Sequence, residues 1–168
     1  MKSVIFSINR PHTDNIKIGA KKSELRTRPP KTKEPYKAFI YETKKNGGCG
    51  KVIGEFTAFN ECTYRMCMGV PKHLVLSGCI SAEEIWAYTS KGKKDLTEIS
   101  ISDLVIYDKP RELSEFYREC EKPECEDCPH LVVENTPDYY EVFCAYDEKI
   151  PITRPPQSWC YVESEVTK

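Results

Sequence analysis

The apolar residues of this chain come in short runs, rich in β-branched and aromatic side chains, that are separated by turns containing glycine or proline. Five such runs cover residues 4–8, 36–41, 51–59, 99–107 and 158–162. Apolar runs of this length between turn signals are typical of single strands. Because the helix signals between them are few and short, the sequence predicts an α+β fold, a small mixed barrel of about five or six strands with short flanking helices.

Three segments carry helix signals. The first follows the first strand, would bury Ile16 and Ile18, and is closed by Gly19. The second begins in a capping box at residues 81–84, where a serine is followed three positions later by a glutamate. Residues 113–120 predict a third short helix.

The length of 168 residues is sufficient for one domain with a substantial core. We predict a single domain over residues 1–168, in which residues 115–150 form a cysteine-rich insertion before the closing strand. No apolar run approaches the roughly 18 residues that a membrane span needs, and the N-terminal run is too short for a signal peptide. These observations predict a cytoplasmic protein with no membrane partner, in a style that suits a bacterial or phage protein.

Charge is distributed unevenly along the chain, although the formal net charge is only −1. Residues 1–51 contain thirteen Lys or Arg and four acidic residues, whereas residues 111–168 contain six and fourteen. A basic surface suits the phosphate backbone of a nucleic acid, because phosphate counterions are released on contact. The acidic C-terminal third suits a basic protein partner. The alternative is that the two ends neutralise each other across one folded surface.

A dense set of charged residues follows the first predicted helix, in the segment GAKKSELR of residues 19–26. Side chains alternate between the two faces of a strand, so Glu24, Arg26 and Arg28 are expected on one face, with Lys21 just before them. A carboxylate flanked by guanidinium groups is found on solvated sheet edges, in structural salt bridges and on the floors of polar clefts. The spacing alone leaves these three interpretations open.

The pattern G-x-K-x-x-E-x-R of residues 19–26 resembles the signature of the ASCH family, whose members are small PUA-like β-barrel domains. The resemblance covers most of the chain, from the first strand to the closing Ser-Trp-x-Tyr-Val strand. It implies a PUA-like barrel that binds RNA, and some family members are ribonucleases. Others are amidohydrolases that act on an acetylated cytidine, in which the lysine of the motif works with a threonine at the position of Glu24. This chain departs from those enzymes at that residue.

Together, the residues and the resemblance predict that RNA or a modified nucleotide binds in a polar cleft at this motif. Nucleic-acid contacts are expected from Lys21, Glu24, Arg26 and Arg28, because cations meet phosphate and a carboxylate accepts from a base edge. One alternative is a hydrolase, either a ribonuclease or a modified-nucleoside amidohydrolase, in which Lys21 acts as base and Glu24 moves a proton. Another is a zinc-stabilised protein-interaction module.

Nine cysteines in a chain with no secretion signal indicate a metal site or reduced thiols rather than a disulfide framework. Cys120, Cys125 and Cys128 have the spacing of a zinc knuckle, and Cys144 from a separate segment would complete a tetrahedral site. A site closed by four thiolates leaves no position open for catalysis, so the zinc is expected to be structural. The alternative is a set of reduced thiols that bind no metal.

Weaker candidates lie elsewhere in the chain. Cys62, Cys67, His73 and Cys79 form a looser second metal set, while His12 is isolated in the sequence and is expected to be solvated or packed. Three aromatic residues could stack on bases, although aromatic residues in strands are more often core residues. They are Tyr36, Tyr41 and Trp159. The carboxylates of Glu55 and Glu98 could complete a catalytic site, but their spacing does not select them.

Overall fold

The computed structural model describes residues 3–119, 131–135, 140–144 and 149–163. These residues form ten strands and three α-helices, which confirms the predicted α+β class. The strands are β1 (Ser3–Ile8), β2 (Ser23–Arg26), β3 (Tyr36–Glu42), β4 (Lys51–Tyr64), β5 (Leu96–Arg111), β6 (Tyr117–Glu119), β7 (Leu131–Asn135), β8 (Tyr140–Cys144), β9 (Lys149–Pro151) and β10 (Trp159–Val162). The helices are α1 (His12–Lys17), α2 (Lys72–Gly78) and α3 (Ala82–Tyr88).

Six of the strands form one sheet in the order β10-β1-β3-β4-β5-β2. Within it, β1 and β3 are parallel and the other neighbours are antiparallel. Two short pairs, β6 with β9 and β7 with β8, lie outside this sheet. Among the described residues no backbone pairing joins the edge strands β2 and β10. The predicted strand number is therefore found, in an open sheet rather than a barrel closed by backbone hydrogen bonds.

Both faces of the central sheet are covered. Val4 and Phe6 of β1 belong to one buried cluster, while Ile5, between them, belongs to another. Successive side chains of a strand point to opposite faces, so a strand covered on both sides has a continuous apolar run. A third cluster packs α2 and α3 against β2 and β5. Its buried members are Leu25, Met66, Leu74, Ile85 and Leu96.

Helix α1 has the predicted position but not the predicted core contacts. Gly19, with a φ of +70°, follows its C-terminus, as expected for a residue that ends a helix. Ile16 is fully buried, whereas the prediction for Ile18 was wrong because that side chain is 76% exposed. Residues two apart do not share a helix face, and α1 ends at Lys17, so Ile18 lies outside the face that Ile16 buries.

The other helix predictions had mixed outcomes. The capping box of Ser81 and Glu84 at the start of α3 is confirmed by reciprocal hydrogen bonds of 3.1 Å. The helix predicted over residues 113–120 is wrong, because a single 3₁₀ turn is followed by β6, which pairs with β9. Helix α2 lies where no regular element was predicted. No helix in the part of the chain that the structure describes is long and apolar enough to cross a membrane.

Candidate functional site

A cavity of about 200 Å³ lies where the end of β1, the start of α1, β2 and the segment between α2 and α3 meet. Its polar lining residues are Ser7, Asn9, His12, Lys21, Glu24 and Arg26, and its apolar ones are Ile8, Leu25, Ile80 and Tyr88. The structure thus brings together the lysine, the glutamate and the arginine of the G-x-K-x-x-E-x-R motif. The three side chains are each less than a tenth exposed, so the motif is not a solvated sheet edge.

Glu24 is held between two cations. Its Oε1 lies 2.9 Å from Arg26 Nη2, and its Oε2 lies 3.6 Å from Lys21 Nζ. Ionised, these three side chains have a formal charge of +1. Burying charged groups is costly unless they are paired, so removal of any one of the three side chains would leave a buried charge without one of its partners. The surplus positive charge makes the cavity suited to an anionic or carbonyl-bearing ligand.

Arg26 is fixed by more than the ion pair. Its Nη2 donates to the Ser7 carbonyl oxygen at 3.0 Å, and its Nη1 donates to the Ser158 Oγ at 3.0 Å and the Ser158 carbonyl oxygen at 3.3 Å. Its guanidinium carbon also lies 5.0 Å from the ring centre of Phe6, a cation–π distance. A planar guanidinium with five donors can satisfy this many partners at once, which a lysine ammonium cannot do in the same geometry.

Lys21 is anchored to the C-terminus of α2. Its Nζ donates to the Gly78 carbonyl oxygen at 2.9 Å. A Cβ atom at position 78 would lie 2.7 Å from Leu25 Cδ1, so glycine allows α2 to pack closely on β2. Cations are favourable at the end of a helix, where backbone carbonyls lack helical partners. The close packing therefore places a helix-end carbonyl where it can orient the lysine in the cavity.

His12 is a lining residue that the sequence analysis missed. Its Nδ1 is buried and has no hydrogen-bond partner among the described residues. Burial lowers the pKa of His12 below its usual value, and the nearby Lys21 ammonium lowers it further. The imidazole is therefore neutral at neutral pH. The only sequence signal for it was its place at the start of a helix that follows the first strand.

Arg28 lies apart from the cavity. It follows the end of β2, its side chain is exposed, and its carbonyl oxygen accepts a 2.7 Å hydrogen bond from Trp159 Nε1. Tyr36 and Tyr41 are 1% and 4% exposed and belong to the core, so they are not available for stacking on bases. Trp159 is half-buried.

The two further carboxylates also lie elsewhere. Glu55 accepts hydrogen bonds from Lys37 and Tyr107, and Glu98 accepts one from Ser77. Neither glutamate lines the cavity. The carboxylate available at this site is therefore that of Glu24.

The zinc prediction concerns residues that the structure does not describe. Cys120, Cys125 and Cys128 lie outside the described ranges, as does the side chain of Cys144, so the site remains a prediction. Most of the predicted insertion of residues 115–150, with its acidic surface for a protein partner, lies outside them as well.

The looser second metal set consists of described residues. Among them, no group of three His, Cys, Asp or Glu side chains could hold a metal ion. Cys62 and Cys67 are free and exposed, and His73 instead lies 3.6 Å from a Glu98 oxygen. The four residues therefore do not form a metal site.

Comparisons with known proteins rest on structure alone, because no protein-family model and no curated protein sequence matches this chain. The ASCH protein from Zymomonas mobilis superposes with a TM-score of 0.57 and 20% sequence identity, covering 67% of this chain and 74% of that one. Two single-residue variants of that protein give TM-scores of 0.55 with 19% and 20% identity, covering 67% of this chain and 77% and 75% of theirs.

This chain has an ASCH-like fold. The family resemblance predicted from the G-x-K-x-x-E-x-R motif is therefore confirmed for the fold. At about 20% identity the similarity concerns the arrangement of the chain and transfers no residue's role. What the cavity does must be argued from its own side chains.

Proposed function

We propose that this chain binds RNA or a modified nucleotide in the cavity lined by Lys21, Glu24 and Arg26. The observation that carries the proposal is the buried trio itself, a carboxylate between two cations with a surplus positive charge, on the wall of a cavity. The cations suit a phosphate or a base carbonyl, and the carboxylate suits the amino edge of a base. The ASCH-like fold is consistent with this assignment.

The size of the cavity favours a single base or nucleoside. Pockets that enclose drug-sized molecules have volumes of roughly 300–1,000 Å³, and this cavity is smaller at about 200 Å³. Proteins that recognise RNA by sequence commonly accept one unstacked base of a single strand in such a pocket. Ile8, Leu25 and Tyr88 supply apolar surface beside the polar trio, as a base with an apolar face and a polar edge requires.

The proposal is tested by titrating nucleoside monophosphates and labelled single-stranded RNA into the wild type and two lysine variants. Lys21→Met removes a cation from the cavity, whereas Lys22→Met removes the cation of its exposed neighbour. We expect Lys21→Met to weaken binding of both probes at least about tenfold, since a hydrogen bond to a charged group contributes roughly 1.5–3 kcal/mol. Lys22→Met should leave monophosphate binding unchanged.

Arg26→Ala provides the second arm of the test, with thermal unfolding as a check that the variant is folded. If a folded Arg26→Ala protein binds as the wild type does, the cavity is not the binding site. If no RNA and no monophosphate binds the wild type, the proposed function is wrong.

A hydrolase that uses the same cavity is the second candidate. The observation in its favour is that Lys21 Nζ lies 3.6 Å from the Glu24 carboxylate, a separation from which a proton could be exchanged after a small movement. Loss of turnover in Lys21→Ala with binding retained would support this function. The substrates to assay are single-stranded RNA and N-acylated nucleosides.

A further inference from the structure

The edge strand β10 connects the cavity to the loop of residues 27–35. Ser158, which precedes β10, accepts the hydrogen bonds of Arg26 in the cavity wall. The next residue, Trp159, donates through Nε1 to the carbonyl oxygen of Arg28 at 2.7 Å. Two consecutive residues, Ser158 and Trp159, therefore contact Arg26 in the cavity wall and Arg28 at the start of this loop.

The middle of the loop is fixed by the same strand. The Tyr161 hydroxyl accepts from the Lys31 backbone N–H at 2.9 Å and lies 3.0 Å from the Lys31 carbonyl oxygen. The rings of Trp159 and Tyr161 are in edge-to-face contact, with their centres 5.0 Å apart. Both contacts are made to backbone atoms of the loop, so they do not occupy the side chains of Arg28 and Lys31.

Three exposed cations occupy this loop. Arg28, Lys31 and Lys33 are exposed, and no carboxylate in the described part of the chain forms an ion pair with any of them. The loop's own acid, Glu34, accepts a hydrogen bond from the Glu61 backbone N–H. The next cation along the chain, Lys37, is paired with Glu55. Within the described part of the chain, the basic loop thus presents positive charge that no ion pair compensates, next to the cavity.

We infer that the loop of residues 27–35 binds the phosphates of a single RNA strand whose one unpaired base occupies the cavity, with Arg28, Lys31 and Lys33 as the phosphate contacts. This inference rests on the proposed function and makes it more specific. The ligand is then a segment of a strand rather than a free nucleoside. The cavity selects the base, and the basic loop supplies affinity that does not depend on sequence.

The reach of the chain agrees with a strand of a few nucleotides. At most about 3.6 Å per residue separates Cα atoms along an extended chain. Arg28 is therefore within roughly 7 Å, and Lys31 within roughly 18 Å, of Arg26. A single strand is favoured because a base in a duplex must first be unpaired and unstacked, at an energetic cost, before it can enter a small cavity. The half-buried ring of Trp159 lies between the two regions and offers apolar surface to a neighbouring base.

The test compares two sets of three substitutions that change the net charge equally. The loop variant is Arg28→Gln, Lys31→Gln and Lys33→Gln. The control variant is Lys72→Gln, Lys93→Gln and Lys109→Gln, at exposed lysines that do not line the cavity. The probes are a labelled single-stranded RNA of about eight nucleotides, within the range of known single-strand sites, and the nucleoside monophosphates. Each titration is repeated at several salt concentrations.

We expect the loop variant to bind the RNA strand with a shallower salt dependence and the monophosphates as the wild type does. Each lost phosphate contact should reduce the slope of log affinity against log salt by about 0.7, so three contacts reduce it by about 2. At about 0.1 M salt this corresponds to a loss of roughly 10- to 100-fold in strand affinity. The control variant should keep the wild-type slope to within about 0.7.

Several results would overturn the inference. One is an equal loss in the loop and control variants, and another is duplex RNA binding as tightly as the single strand. A polyglutamate peptide that competes as well as the RNA strand would assign the loop to an acidic protein partner instead. If monophosphates bind the wild type and the strand binds no more tightly, the inference fails while the proposed function stands. If neither probe binds, both fail.

Discussion

Arg26, the last residue of edge strand β2, donates two hydrogen bonds to Ser158, the residue before the other edge strand, β10. The same guanidinium group reaches the carbonyl oxygen of Ser7 in β1. A side chain thus spans the two sheet edges that, in the described part of the chain, no backbone pairing joins. The cavity opens at this position, so a residue proposed to bind ligand also holds the sheet together.

The bridging role predicts that Arg26→Lys is not a conservative substitution. A lysine keeps the charge near Glu24 but cannot reach both Ser7 and Ser158 with the geometry of a guanidinium group. We expect the free energy of unfolding to fall by about 2 kcal/mol, since each hydrogen bond to a charged group contributes roughly 1.5–3 kcal/mol. Urea denaturation measures this change. Arg28→Lys, at an exposed site, is the control and should shift stability by no more than about 0.5 kcal/mol. Equal stability of the two variants would contradict the bridge.

Glu24→Gln separates the structural role of the carboxylate from its effect on binding. Removing one partner of a buried ion pair costs roughly 3–5 kcal/mol, because the remaining charges stay buried without compensation. We therefore expect a large loss in unfolding free energy, against a change below about 1 kcal/mol for the exposed control Glu83→Gln. In the folded fraction the charge of the trio rises by one, so phosphate affinity should increase. A loss of phosphate affinity at unchanged stability would refute this account of Glu24.

His12 gives the site a pH dependence of defined sign. Burial and then the Lys21 ammonium lower its pKa in the folded protein, while the unfolded chain keeps the ordinary value of 6.5. The unfolded state therefore binds the proton first, and stability falls as the pH decreases below 6.5. Following the imidazole C–H resonances by NMR from alkaline to acidic pH measures the midpoint of the His12 titration and tests this. A midpoint at or above 6.5 would contradict the burial of His12.

Ligand binding should move the same midpoint in the opposite direction. The charged groups that face His12 are Lys21, Arg26, Glu24 and Glu84. An anionic monophosphate in the cavity would favour the protonated imidazole by adding negative charge beside it. The resonances of His12 should therefore titrate at higher pH in the complex than in the free protein. An unchanged midpoint at saturating monophosphate would mean that the anion binds elsewhere.

The sequence predicted well those strands, helix starts and charged motifs that are determined by residues close together in the chain. The apolar run of residues 4–8 became β1, and the Ser81 and Glu84 capping box opened α3, because both signals lie within a few neighbouring residues. The charged motif was recognised because Lys21, Glu24 and Arg26 lie within six residues of one another. Strand alternation then placed Glu24 and Arg26 on the same face, where they form an ion pair.

What the sequence did not predict depends on contacts between distant segments. Strand β6 pairs with β9, about thirty residues later in the chain, so residues 113–120 carried no local sign of a strand. His12 joins the cavity only because the end of β1, the start of α1 and β2 meet there. The binding of Arg26 to Ser158 likewise connects residues 132 positions apart. The pattern of apolar and polar residues around Arg26 or around Ser158 does not indicate such a contact.

Metal content tests the predicted zinc knuckle directly. If Cys120, Cys125, Cys128 and Cys144 bind zinc, the purified protein should contain one zinc ion per chain, as mass spectrometry under native conditions or elemental analysis would measure. Cys125→Ser and Cys128→Ser should each reduce the zinc content, because a structural site requires four ligands. Cys62→Ser is the control, since Cys62 is a free and exposed thiol. If the protein contains no zinc when it is purified without chelators, the prediction of a zinc knuckle is wrong.

The buried carboxylate of Glu42 is expected to determine how the protein responds to acid. It is 3% exposed and accepts hydrogen bonds from Thr13 Oγ1 at 2.5 Å, Lys17 Nζ at 2.9 Å and the Cys49 backbone N–H at 3.1 Å. Burial alone would raise the pKa of Glu42, but these hydrogen bonds outweigh it and lower the pKa to about 2. Because Thr13 and Lys17 belong to α1, the carboxylate also fixes the helix that carries His12.

The lowered pKa means that the stabilisation by Glu42 is complete above its unfolded value of 4.5 and is lost as the pH falls towards 2. A difference of this size corresponds to about 3 kcal/mol of unfolding free energy. Urea denaturation at a series of pH values should show the wild type losing stability over this window, and Glu42→Gln should be less stable at pH 7 with a correspondingly smaller loss. Parallel pH profiles for the two proteins would show that Glu42 does not anchor α1. In that case the position of His12 would have to depend on other contacts.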